Sequence, residues 1–410
     1  MASTPLRAGM ATDRLRRLDD WLRHDFIEPG LIPGCQLLVA RHGEVVHRAT
    51  LGRMDVGRDR ALRDDALFRI YSMTKPITSV ALMMLWEEGR FGLNDPVHRF
   101  VPAWRELRVW EAGRGEVMRT RPLRQPMTMR QLLSHTAGLT YGSALLAPGQ
   151  QPHPVEEAYA ALKIGTRSGD TLQAMVDKLA RVPLRFEPGT AWQYSLATDV
   201  CGHLVQVISG QPFETFVHER ILAPLGMVDT AFHVPADKLD RLSTCYRYDA
   251  QHRMVPVDTP ERSAFASPPV LASGGGGLVG TLADYHAFCE MLRRGGELDG
   301  VRILGPRTLA LMRANHLPGG QDLVALAQDG FSETANAGIG FGLGFATTLG
   351  EVSAGGLGAG DFFWGGMAST LFWVDPREDL VAIFMTQLIP SRTYNFRGPM
   401  KNIVYSAIVG

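Results

Sequence analysis

A serine and a lysine three residues apart, Ser72 and Lys75, open a strongly apolar run that continues to Trp86. On a helix that spacing puts both side chains on one face, with Cβ atoms about 5–6 Å apart. An amine held there can take the serine's hydroxyl proton, provided burial lowers the amine pKa, and the serine then becomes a nucleophile. The residue type matters. The chain has 5 lysines and 37 arginines, and arginine cannot lose a proton at ordinary pH. A lysine at position 75 is therefore read as a proton-transfer group. With 17 serines and 5 lysines in 410 residues, chance alone gives a Ser-x-x-Lys about 0.2 times, so the motif needs support from elsewhere. The competing reading of these four residues is an N-capping serine followed by a first-turn lysine.

The elements that must position this pair can be read around it. The run predicts a buried helix from about Ser72 to Gly89. Pro76 falls in the first turn, where backbone N–H groups have no intrahelical partner, and Gly89 suits the position after the last turn. Before it, Leu15, Leu18, Trp21 and Leu22 fall on one face of a helix over 12–27. Two apolar runs, 34–40 and 44–49, flank Arg41-His42-Gly43 and predict an antiparallel hairpin. Short amphipathic stretches at 128–134, 171–180, 197–209 and 214–222 predict helices. Four glycines at 274–277 lead to Thr281 and Asp284, which sit at N-cap and N3 of a further helix. The glycines are expected to pack backbone closely against the active-site floor; no Gly-Lys-Ser/Thr follows to make a nucleotide site. The tail reads as strands at 341–348, 367–374 and 380–388, then a helix over 400–408. The expected fold is α/β (α+β): a central antiparallel β-sheet flanked by helices, built from residues 1–100 and 266–410. A mostly helical subdomain, 101–265, is inserted between them.

Composition removes several function classes. Formal net charge is zero, with 45% hydrophobic and 20% charged residues, so neither nucleic acid nor an anionic membrane is the expected partner. The four cysteines are widely spaced, which fits buried free thiols in a reducing compartment. Arg7, Asp13, Arg14 and their neighbours leave no apolar core for a signal peptide, and no run is long enough to span a membrane. The expectation is a cytoplasmic protein, unless a leader was trimmed. No histidine pair has metal-ligand spacing, so neither metal nor cofactor is expected. His135, after an apolar helix, is read as a structural residue or a partner of the helix end. No Gly-x-Ser-x-Gly occurs, so the α/β-hydrolase elbow is absent.

A third polar group should help pass the proton to a leaving group. Tyr194 follows a Pro188-Gly189 turn and stands beside Trp192; a phenol near an ammonium is partly ionised more easily, although a core tyrosine with a satisfied hydroxyl fits the same residues. Ser72-Met73-Thr74-Lys75, Tyr194-Ser195-Leu196 and Trp364-Gly365-Gly366, in this order, resemble the serine β-lactamase and penicillin-binding-protein superfamily. Within it they are most similar to the family VIII carboxylesterases, which look like class C β-lactamases; the stretch 132–139 extends the likeness. The resemblance implies Ser72 as nucleophile, Lys75 and Tyr194 as the base system, and an oxyanion hole from the backbone N–H groups of Ser72 and Met367. Tyr71, Trp192, Trp364, Gly365 and Gly366 are the expected substrate contacts, with Phe362 and Phe363 extending an aromatic lining. Two departures bear on substrate. Where such β-lactamases have Tyr-x-Asn and Lys-Thr-Gly, this chain has Leu196 and Trp364 at the amide and ammonium positions. A site lacking both suits neutral acyl esters better than anionic β-lactams. The leading expectation is a carboxylesterase acting on short- to medium-chain esters. The alternatives are acyl transfer to an alcohol or amine, weak β-lactamase or D-Ala peptidase activity, and a non-catalytic binding module.

Overall fold

The computed structural model describes residues 6–146, 149–166, 168–328 and 337–410. Its centre is an eight-stranded antiparallel sheet assembled from both ends of the chain. In chain order its strands are β1 (Gly34–Arg41), β2 (Glu44–Asp55) and β3 (Arg60–Ala61), then β6 (Ile339–Phe341), β7 (Ala346–Thr348), β8 (Phe362–Gly365), β9 (Leu371–Asp375) and β10 (Leu380–Met385). Across the sheet the order is β6-β7-β8-β9-β10-β1-β2-β3. The C-terminal strand β10 thus lies against the N-terminal strand β1, with Leu380 opposite Arg41 and Met385 opposite Gln36. A second, three-stranded sheet joins β4 (Cys245–Tyr248) to β5 (Met254–Asp258) and to β11 (Leu388–Ile389).

Both β1 and β10 are buried at every position, which is why their sequences are almost continuously apolar rather than alternating. Helices supply the cover. The first, α1 (Thr12–Leu22), packs on β2 and on the C-terminal helix, α9 (Arg397–Ser406); α8 (Leu282–Arg293) packs on β9, β10 and β1. Arg41 ties the chain ends together by donating to the carbonyls of Ala8 (3.2 Å) and Gly410 (2.6 Å).

The serine segment is a 3-10 turn, Tyr71–Met73, running into α2 (Thr74–Glu87). Every residue of α2 from Thr74 to Leu85 is buried, as expected of a helix that is apolar all round. It packs against α6 (Ala197–Ser209) and α7 (Phe213–Val217); α3 (Met129–Leu133) and α5 (Leu172–Leu179) also pack on α6, and α4 (Pro154–Ala161) lies between α3 and α5 in the chain. Each of these overlaps a stretch that the sequence marks as helical, with α7 beginning one residue ahead of its stretch, except α4, which falls in none. The segment 101–265 also carries strands, the β4–β5 hairpin and a second one, Arg108–Ala112 with Arg119–Pro122. Among the described residues no helix is long and apolar enough to cross a membrane.

Three expected strands differ in the structure, each for a local reason. The stretch 341–348 is a hairpin, because Gly342 and Gly344 turn the chain. A Cβ on Gly342 would lie 2.1 Å from the Met312 carbonyl oxygen, and Gly344 has φ +97° with Ser79 Oγ 2.2 Å from its Cβ position. Residues 367–370 form a turn rather than strand: Ser369 has φ +66° and Gly366 N–H donates to Thr370 O (2.8 Å). The stretch 380–388 splits, and its last residues leave the main sheet to run parallel to β4. Asp284 does not complete a capping box. Its N–H donates to Thr281 Oγ1, but its carboxylate accepts from Asp229 N–H and Thr230 Oγ1, each at 2.8 Å.

Gly344→Ala therefore places a side chain in the left-handed region and against α2. It is expected to lower stability by about 2 kcal/mol or more, read as a lower urea midpoint at unchanged slope; an unmoved midpoint would mean that this turn relaxes freely.

Candidate active site

The site around Lys75 is assembled from several chain segments. Three of them carry the residues that the sequence marks: the serine helix, the Tyr194 loop and the end of β8. The first is the helix of Lys75 itself, whose start is fixed from outside: Leu278 N–H donates to Thr74 Oγ1 (3.1 Å), Tyr285 OH donates to Met73 O (3.0 Å), and Ile70 N–H donates to Leu278 O (3.2 Å). Tyr71, immediately before Ser72, has φ +42°. An aromatic residue in that region costs on the order of 1–3 kcal/mol and persists only when its surroundings impose it. Here the ring is buried with Cys245 and Ala368 and packs edge-on to Phe265 at 6.0 Å. Ser72 is not the helix N-cap. It lies in the 3-10 turn ahead of α2, and its Oγ is 3.4 Å from Lys75 Nζ, which donates toward it.

Lys75 is only 1% exposed. Its ammonium donates to Gly275 O at 2.6 Å and to Tyr141 OH at 2.7 Å, and it sits over the Tyr194 ring, 4.5 Å from the centroid. Gly275 belongs to the four-glycine stretch, which does form the floor expected of it. A Cβ on Gly274 would lie 2.7 Å from Thr198 O, and one on Gly275 only 2.5 Å from Asp199 Oδ2. Thr78, one turn along α2, donates to Gly274 O (2.8 Å).

The second segment carries Tyr194, on the loop just before α6. Trp192 stacks with it (6.2 Å, 20°), His135 tilts over it at 5.0 Å, and Trp364 packs at 5.3 Å. Ser195 Oγ hydrogen-bonds His135 Nδ1 (3.2 Å) and accepts from Ala197 N–H (3.3 Å). His135 is buried at the end of α3 with φ +56°. Burial, and next the Lys75 charge, push its pKa well below the ordinary histidine value, so it is a neutral packing and hydrogen-bonding residue.

The third segment is the end of β8. Gly366 is pressed against the serine turn, since a Cβ there would sit 2.4 Å from Ile70 O and 2.3 Å from Thr370 Oγ1. Trp364 Nε1–H donates to Tyr194 OH at 3.2 Å. The indole that stands where an ammonium was expected in β-lactamases is thus engaged with the phenol.

The beta-lactamase family profile matches residues 23–399. The chain belongs to that family. Among its relatives, an uncharacterized protein of Mycobacterium tuberculosis is 34% identical over 368 residues, covering 88% of each chain. Esterase EstB of Burkholderia gladioli is 33% identical over 372 residues, covering 86% of this chain and 85% of EstB. The solved structure of EstCE1, a hydrolase with promiscuous acyltransferase activity, is 28% identical, with a TM-score of 0.77 over 98% of this chain and 100% of EstCE1.

For this family member the structure brings Ser72, Lys75, Tyr194 and Trp364 into one cluster. Trp192 is 1% exposed and lies behind Tyr194 as packing. Phe363 faces away: successive strand residues point to opposite sides of a sheet, and with Trp364 turned to Tyr194, the Phe363 ring lies under Arg397 and Lys401 of α9. Gly365 and Gly366 border a cavity of about 500 Å3, walled also by Thr370, Arg392, Asn395 and Arg397 and not by Ser72 or Lys75.

Sequence reasoning missed Tyr141, whose hydroxyl accepts from the lysine at 2.7 Å. Its one signal was position, two residues past the 132–139 stretch. Rarity alone does not mark a proton-transfer lysine: Lys401 is also buried, 8% exposed against 1% for Lys75, and is paired with Asp361.

Tyr141→Phe is expected to lower kcat for a reactive ester by about tenfold to a hundredfold, since it removes a phenol from the proton-transfer cluster. Trp364→Phe is expected to cost about tenfold, the loss of one hydrogen bond to that cluster. Steady-state kinetics beside thermal melts check both; wild-type kcat in either variant would remove that residue from the machinery.

Proposed function

We propose that this chain is a serine hydrolase that cleaves short- to medium-chain carboxylic esters through an acyl-Ser72 intermediate. The observation that carries the reading is Lys75 Nζ, 3.4 Å from Ser72 Oγ and gripped by Gly275 O and Tyr141 OH in a buried aromatic surround. In this reading one proton is absent from the cluster of Lys75, Tyr141 and Tyr194 before reaction, leaving an amine or a phenolate. Ser72 Oγ attacks the ester carbonyl carbon while its proton passes to that vacant position. Coupled groups titrate together, so the proton belongs to the cluster rather than to one residue. The oxyanion is received by the backbone N–H groups of Ser72 and Met367, one at the start of a fixed turn and one just past Gly366. Donors fixed in advance stabilise the developing charge without reorganisation. Collapse expels the alcohol, which takes the proton, and water then repeats the sequence on the acyl-enzyme.

Neutral esters are favoured by what surrounds the serine. Trp364 supplies no cation, and its N–H is directed to Tyr194. EstB is an esterase by name, and EstCE1 is a hydrolase, which supports the same chemistry here. A second reading keeps the acyl-enzyme and replaces water by an alcohol. Tyr141, Tyr194, Trp364 and Phe341 form a continuous aromatic wall, suited to an apolar acceptor, and EstCE1 carries acyltransferase activity alongside hydrolysis.

The test is hydrolysis of p-nitrophenyl butyrate by wild type beside Ser72→Ala, with no added metal. Wild-type turnover that falls at least about a thousandfold in the variant is the expected result; equal rates would overturn the nucleophile assignment. Adding a primary alcohol to the same assay partitions the acyl group. Ester product no higher than the chemical background would reject transfer, and nitrocefin turnover matching ester turnover would reject the preference for neutral esters.

A further inference from the structure

Beneath the glycine floor lies a carboxylate that the mechanism above does not use. Asp199, the third residue of α6, is fully buried. Its Oδ1 accepts from Ser273 Oγ at 2.5 Å and from Gly275 N–H at 3.0 Å. Its Oδ2 is buried with no hydrogen-bond partner among the described residues. That oxygen lies 2.5 Å from the Cβ position of Gly275, and Tyr141 OH lies 3.0 Å from the same point. An acidic residue in a first helical turn is ordinarily accounted for by the helix dipole. This one turns from its own helix to hold the turn at 273–277, which also closes on itself through Gly276 and Gly277 N–H to Ser273 O at 3.4 and 2.9 Å and is tied to α2 by Thr78 Oγ1 at Gly274 O. Asp199 alone among these ties brings a carboxylate to it. The carbonyl that grips Lys75 therefore stands where the Asp199 carboxylate holds it.

We propose that Asp199 is a positioning residue of the acyl-transfer site, fixing the turn whose Gly275 carbonyl anchors Lys75 and holding a negative charge behind that lysine. The proposal rests on the acyl-Ser72 reading. When the lysine cluster takes the serine proton it gains positive charge, and a buried anion one layer away stabilises that state, as the carboxylate of a catalytic triad does for its histidine. The groups that face Lys75 are Ser72 from its own segment, Tyr141, Tyr194, neutral His135 and the Gly275 carbonyl; those that face Asp199 are Lys75, Tyr141, Ser273 and, on its own helix, Cys201. Among them Lys75 is the one cation. Burial holds the Asp199 pKa above the ordinary carboxylate value, and Lys75, then Ser273 and Gly275 N–H, offset that only in part.

Asp199→Asn tests this, because the amide oxygen can still accept from Ser273 and Gly275 while the charge is gone. With p-nitrophenyl butyrate as substrate, kcat is expected to fall about tenfold or more with KM within about twofold. The acidic limb of the kcat/KM profile is expected to move to lower pH, since the lysine cluster loses its proton more readily without the anion. A wild-type kcat and limb would overturn the proposal, as would a lower kcat with an unmoved limb, which is what a structural role alone gives. Circular dichroism and melts check folding. Should Asp199→Asn not fold, Ser273→Ala carries the test: a fall in kcat of about threefold or more at unchanged KM, with the acidic limb moved to lower pH, supports the proposal, and a wild-type kcat or an unmoved limb overturns it. Fluorophosphonate labelling of Ser72 separates the two levels. A wild type that neither labels nor turns over ester sinks the acyl-enzyme reading and this proposal with it; a labelled, active wild type beside an indifferent Asp199→Asn sinks the proposal alone.

Discussion

Everything near the serine is arranged around one costly fact, a lysine ammonium with almost no exposure to water. Removing such an ion from solvent costs several kcal/mol even after relaxation. Two charge-assisted hydrogen bonds offset roughly 1.5–3 kcal/mol each, and a desolvated cation–π contact about 2 kcal/mol. Gly275 O, Tyr141 OH and the Tyr194 ring supply this set for Lys75. The compensation comes from three separate segments, so the ammonium is tolerated only when all three are in place. Folding and assembly of the site are the same event.

That dependence explains the sheet. The serine turn comes from the N-terminal part of the chain and Trp364 from the C-terminal part, and they meet because β10 lies beside β1 while β8 lies two strands farther on. Glycine is required at the junction, where Gly366 touches the Ile70 carbonyl. The helical middle contributes Tyr141 and Tyr194, so neither end of the chain can build the site alone.

Much of this was legible in the sequence. The serine helix could be read because an unbroken apolar run allows only a buried element, and the hairpin of β1 and β2 because a short turn between two apolar runs leaves few choices. Ser72, Lys75 and Tyr194, which the structure brings together, were singled out through ordered motifs. Tyr141 was not, because a lone tyrosine in a loop has no periodicity, and its meaning arises from a contact 66 positions away in the chain. Asp199 was hidden differently: an acid in a first helical turn already has a sufficient local explanation. The strand at 341–348 was misjudged because apolar content was read while the left-handed Gly344 within it was not.

The grip on Lys75 through Gly275 has a consequence for how the site can be altered. The acceptor is a main-chain carbonyl, and no exchange of side chain deletes a carbonyl. A scan that replaces residues one at a time would register position 275 only as a steric clash with Asp199 and Tyr141, never as the loss of an acceptor. Inherited variation meets the same restriction. Side-chain drift around the lysine can proceed through Tyr141, Tyr194 or Trp364, while the main-chain atom that holds the ammonium stays outside the reach of the genetic code.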